Sequence, residues 1–128
     1  MVCGLNSAGP DWYLVELESP ATSVLRSDGQ ARAEFTHARQ QIADWRIWLR
    51  DNSQYAQHQL GFEGLDSEFK AIIIMGRRAD VADEHRKRYR ELSRDGVEVM
   101  SYDRLTEQVT NAARSFRELV DSLKSQAQ

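Results

Sequence analysis

Cysteine is almost absent. Cys3 stands alone among 128 residues, which excludes an internal disulfide and a cysteine-rich zinc site and suits a reducing, cytoplasmic compartment. Long apolar runs are missing too. The longest, 71-AIIIM-75, is far short of the roughly 20 residues a membrane-spanning helix needs, so no membrane association is expected. The first ten residues, MVCGLNSAGP, have neither a basic start nor an apolar h-region, so no signal peptide is read there. No glycine-rich loop follows any expected strand, which leaves dinucleotide and P-loop nucleotide sites without support. His37, His58 and His85 lack metal-ligand spacing, and no Ser-His-Asp arrangement is visible. Lysine is scarce: only Lys70, Lys87 and Lys124 join the arginines in a total of 17 basic residues. The net charge of −3 rules out a general polyanion binder, yet leaves room for local basic patches.

What is present reads as one α/β domain. Hydrophobic residues make up 41% and charged residues 29%, the balance of a globular chain with a core. Residues 12–17 favour a strand that Ser19-Pro20 ends, and 21–30 form a loop. From 31 to 50 the positions Phe35, Ala38, Ile42, Trp45 and Leu49 step by three and four, which predicts a helix with one buried stripe. A polar connection over 51–68 leads to 69-FKAIIIM-75, a strand covered on both faces. Asp80 is the expected N-cap of a helix reaching about Asp95, with an apolar stripe of Val81, Ala82, His85, Tyr89 and Leu92. A strand at 97–101 and a last helix follow, the latter striped by Leu105, Val109, Ala112, Phe116, Leu119 and Leu123. The expected order is β-α-β-α-β-α. Residues 1–11 read as a loop or the remnant of a truncated strand, 12–124 as the domain, and 125–128 as a tail.

Chemistry concentrates in 12-WYLVELESP-20. Alternation along a strand places Trp12, Leu14, Glu16 and Glu18 on one face, with the two carboxylates rooted roughly 6–7 Å apart. Such a pair can serve Mg²⁺, which favours hard oxygen ligands. Taken alone, E-x-E is more often a strand end meeting water. On the next helix, Glu34, His37 and Gln41 form a polar row beside the apolar stripe, facing either a cleft or solvent. Asp11 is the only acid before Glu16, but an offset of five directs it to the other face unless the strand bends. Arg77 and Arg78 after the buried strand are weak candidates for phosphate contact, as are the arginines of 86-RKRYR-90.

In their order, WYLVELESP, ARAEFTHARQQIADWRIWL, FKAIIIMGRR and VEVMSYDRL resemble the C-terminal nuclease domain of the Shedu anti-phage defence family, over roughly residues 12–120. That domain is of the PD-(D/E)XK, restriction-endonuclease-like type. The resemblance implies a restriction-endonuclease-like sheet with flanking helices, its front part absent from this chain. It implies an Mg²⁺- or Mn²⁺-dependent DNA endonuclease that forms homo-oligomers. Within it, Glu16 matches the metal-binding acid, Glu18 falls where a lysine normally stands, and Gln41 matches the glutamine of a Q-x-x-x-[YW] helix signature. Two further readings stay open: a catalytically impaired module kept for DNA binding or assembly, and an unrelated α/β interaction domain.

Overall fold

The computed structural model describes residues 1–126. Four strands form one open mixed sheet in the order β1-β2-β3-β4. β1 (Val2–Asn6) and β2 (Gly9–Leu17) make an antiparallel hairpin, whereas β3 (Lys70–Ile74) and β4 (Val97–Met100) continue the sheet in parallel. The helices are α1 (Ala33–His58), the short α2 (Arg86–Glu91) and α3 (Tyr102–Gln126). The element order is thus β-β-α-β-α-β-α.

The additional strand lies where the sequence suggested a loop or remnant. Val2–Asn6 is short, holds Gly4 and is exposed throughout, so it carries little of the apolar alternation that announces a strand. Its turn is nevertheless well specified. Asn6 pairs with Gly9, Asn6 Oδ1 accepts the Ala8 N–H at 2.8 Å, and Gly9 takes φ +119°, which a side chain would resist.

α1 runs eight residues beyond its expected end. Buried positions Phe35, Ala38, Ile42, Leu49 and Ala56 keep the helical period through a polar stretch. Asn52 interrupts the dihedrals (φ −125°, ψ 18°), and its side-chain amide donates to the Trp48 carbonyl at 2.8 Å. Trp45 departs from the expected stripe: it sits on the flank with Trp48, ring centroids 5.7 Å apart, both partly exposed. The anticipated long helix over 80–95 is two 3₁₀ turns, Arg78–Asp80 and Asp83–His85, before six residues of α2. The physical reason is its thin stripe. Tyr89 and Leu92 reach the core, Asp80 accepts the Arg77 N–H at 3.0 Å in the preceding turn, and His85 turns to the Ser27 carbonyl at 3.0 Å.

The core lies on the α1 side of the sheet. Leu14, Ala71, Ile73, Met75, Val97 and Val99 pack with Phe35, Ala38, Ile42 and Leu49 in one cluster. Each fully buried aliphatic side chain contributes about 1.5–3 kcal/mol. On the other face Ile74 and Met100 are buried, Tyr13, Val15 and Ile72 are half-buried, and Leu17 is exposed. α3 has the expected apolar stripe but buries none of it. Val109, Phe116, Leu119 and Leu123 are 56–67% exposed, and the helix touches the domain through its beginning. The expected tail begins inside α3, with Ser125 and Gln126 helical; residues 127–128 lie outside the described part. No helix among the described residues is long and apolar enough to cross a membrane.

Candidate functional site

The parallel strands β2, β3 and β4 end along one edge of the sheet, and the carboxylate pair stands at the end of β2. Open α/β sheets place ligands outside the carboxyl ends of their strands. The backbone carrying the two acids is held from both sides. Glu18 N–H donates to the Ile74 carbonyl at 2.9 Å, so the strand geometry continues past Leu17. Gly76 N–H donates to the Ser19 carbonyl at 3.2 Å, and the Tyr102 hydroxyl donates to the Glu18 carbonyl at 2.6 Å. Gly76 adopts φ +66°, and a Cβ there would stand 2.9 Å from the Thr22 carbonyl oxygen. Only glycine lets the turn after β3 pass so close to the loop after β2.

Glu16 lies opposite Ile73 and two residues beyond the buried Leu14, hence on the face that α1 covers. Its carboxyl is pushed above the usual range, first by burial and second by the neighbouring Glu18 charge, while the Met1 ammonium and then His37 pull it back. Glu16 thus lies within electrostatic reach of Glu18, of the amino terminus and of His37. Glu16 and Glu18 are half-buried, as is Gln41, one helical turn beyond His37 on α1. No hydrogen bond joins Glu16 to Gln41, and no cavity among the described residues is lined by both. His37 was visible in the sequence as part of the polar row. Its reach to Glu16 depends on how α1 lies on the sheet, which spacing along one helix does not reveal.

Asp11 is not part of this group. β2 runs unbroken from Gly9 to Leu17, and Asp11 accepts from Lys70 Nζ at 2.8 Å and the Tyr13 hydroxyl at 3.1 Å on the opposite face. These donors hold its carboxyl below the usual range, Lys70 being the main cause. β1, with sequence VCGLN, offers no acid either.

No group of three or more His, Cys, Asp or Glu side chains is close enough to hold a metal ion among the described residues. A closed protein cage of the zinc type is therefore not on offer. Two half-buried carboxylates with an unfavourable mutual repulsion do fit Mg²⁺, which commonly takes one or two protein carboxylates and fills its shell with water and substrate phosphate. Glu16 and Glu18 are the residues that would hold it.

Arg77 and Arg78 are engaged elsewhere. Arg77 donates to Asp103 through Nε at 3.1 Å and Nη2 at 2.8 Å, and Arg78 makes a two-pronged pair with Glu107 at 2.7 Å on each arm. Tyr102, whose hydroxyl anchors Glu18, was not foreseen from the sequence. A tyrosine opening a helix after a strand gives no local sign of such a role.

The class defined by these features is an open-sheet α/β domain with a carboxylate pair at the carboxyl edge of its parallel strands. The chain belongs to the Shedu anti-phage defence family: residues 5–106 match the family model described as Shedu protein SduA, C-terminal. No curated protein matches the chain.

Proposed function

We propose that this chain is the nuclease domain of an antiviral defence protein, hydrolysing DNA phosphodiesters with Mg²⁺ or Mn²⁺ held by Glu16 and Glu18. The observation that carries the reading is the placement of Glu16: inward on the covered face, beside a second acid, with its ionised form disfavoured in the absence of a cation. Such a bound cation supplies charge stabilisation at the phosphate and an activated water. The protein's own share is to fix the main chain at Glu18 and Ser19 through the Ile74, Gly76 and Tyr102 contacts. His37 adds a titratable group on the α1 side, and Gln41 an uncharged donor and acceptor. The hairpin, helix and parallel strand around E-x-E also support a restriction-endonuclease-like sheet. Homo-oligomers are supported by α3, whose stripe at 105, 109, 112, 116, 119 and 123 steps by four and three, the seam of a coiled coil.

Incubation with supercoiled plasmid and Mg²⁺ tests the enzyme. We expect nicking or linearisation that EDTA stops and that Glu16→Gln reduces by about a hundredfold or more, the scale expected for loss of a metal ligand's support. Undiminished cleavage by Glu16→Gln overturns the assignment of that residue.

A second reading is favoured by the lack of a three-donor cluster among the described residues and by Glu18 standing where the family pattern has lysine. In it the fold is kept for DNA binding or assembly alone. Binding without cleavage at any Mg²⁺ or Mn²⁺ concentration would select it.

A further inference from the structure

The shortest helix carries the densest positive charge. α2 turns Tyr89 toward the core and leaves Arg86, Lys87, Arg88 and Arg90 exposed. A cavity lies on each side of it. One, of about 230 Å³, is lined by Arg78, Arg86, Arg90 and Arg104 beside the end of β4. The other, of about 510 Å³, is lined by Arg39, Arg46, Arg88 and Arg94 between α1 and α2.

Acids partly offset this charge from outside. Arg78 pairs with Glu107, Arg104 with Glu98, Arg86 with Asp83, and Arg88 with Glu91 at 4.0 Å; Arg39 and Arg94 share Asp95. Of these acids only Asp95 lines either of the two cavities. Lys87 and Arg90 have no ion-pair partner among the described residues. The edge beyond β4 is therefore a basic surface in a chain whose overall charge is −3.

We propose that this α2 ridge and its two arginine-lined cavities bind successive phosphates of a DNA strand, delivering it to the carboxylate pair. The inference rests on the DNA reading above and assigns the surface that performs the binding. Its geometry suits a chain-borne anion. A helix with its side chains is roughly 10–12 Å across, so one small anion cannot occupy both cavities, whereas a run of phosphates can. The nearer cavity and Glu16 lie at the same edge of the sheet, β4 being two strands from β2, or about 10 Å. Arginine suits this task through its planar fork of donors.

The test is fluorescence anisotropy of the whole chain with a labelled duplex in EDTA, across a salt series. Arg86→Gln/Arg90→Gln and Arg88→Gln/Arg94→Gln each remove two exposed cations. Each pair should weaken binding about tenfold or more and flatten the log–log salt dependence by roughly 2, near 0.9 for each phosphate no longer neutralised. Arg114→Gln/Arg117→Gln on α3 should change neither quantity. Thermal melts matching the wild type show that the variants fold. Unchanged salt slopes in both α2 pairs, or an equal loss in the α3 pair, overturn the proposal. Displacement of DNA by stoichiometric inorganic phosphate also overturns it, since that marks a small-anion site. The plasmid assay separates the two claims. DNA binding lost in the α2 variants, with no cleavage by the wild type, leaves this surface standing and removes the nuclease. Cleavage with intact binding in the α2 variants does the reverse.

Discussion

At the scale of the residue, Glu16 is the costly one. Burial and the Glu18 charge raise its pKa in the folded protein above its value in the unfolded chain. The sign follows from linkage. The folded state binds the proton more tightly, so the stabilisation is fully present below the unfolded pKa and is lost as pH rises through the folded one. Glu16→Gln should therefore melt higher than the wild type at pH 7–8 without divalent cation. That advantage should vanish below about pH 4, where the glutamate is protonated. Mg²⁺ should raise the wild-type midpoint and leave the variant unmoved. Differential scanning fluorimetry over pH and Mg²⁺ reads all three, and a destabilised Glu16→Gln at pH 8 would contradict the electrostatic account. The shared face of Glu16 and Glu18 was legible because strand alternation is local. So was the exclusion of Asp11, by its odd offset. The nearness of His37 and the Tyr102 anchor were not legible, since each arises where distant segments cross.

At the scale of the element, the hydrophobic period located α1 and β3 because both bury a full stripe against the sheet. It misjudged the extent of α1, since Leu49 and Ala56 are separated by two turns of polar residues. It overextended α2, because a thin stripe gives a helix only as many turns as its buried anchors support. α3 is held chiefly by its first turns. Asp103 accepts from the Arg78 N–H and from the Arg77 guanidinium, and these donors hold its carboxyl below the usual range, the backbone donor being the larger cause. Here the folded pKa is depressed, so the stabilisation exists above the unfolded pKa and is lost as pH falls through the folded one. Asp103→Asn should thus be less stable than the wild type at pH 7, with the difference closing as pH falls below the unfolded carboxylate's value of about 3.9. Amide exchange at residues 77–80 and 102–106 should accelerate in the variant at neutral pH, and unaltered exchange there would count against this tether.

At the scale of the molecule, the α/β class and parallel sheet were legible, and the hairpin that begins it was not. Its first strand has no buried residue to signal it. The sequence also announced an apolar stripe on α3 without saying what faces it. Among the described residues of one chain, nothing does. Light scattering should give a mass above that of the 14.7 kDa monomer, rising with concentration. Phe116→Ser/Leu119→Ser should return it to the monomer and remove the concentration dependence of its melting temperature, while matching the wild type in dilute solution, because those side chains contribute nothing to the domain's core. A monomeric wild type would remove self-association through this helix.

The Tyr102 hydroxyl has a mechanical consequence. It sits at the root of a rod about 37 Å long, judged from 25 residues at 1.5 Å each. Whatever grips the far end swings that rod about a short pivot, and the pivot is bonded to the Glu18 carbonyl. Leverage applied at Leu123 would reach the main chain beneath the acid pair through that phenol, with the load shared by the Asp103 and Glu107 ties to Arg77 and Arg78.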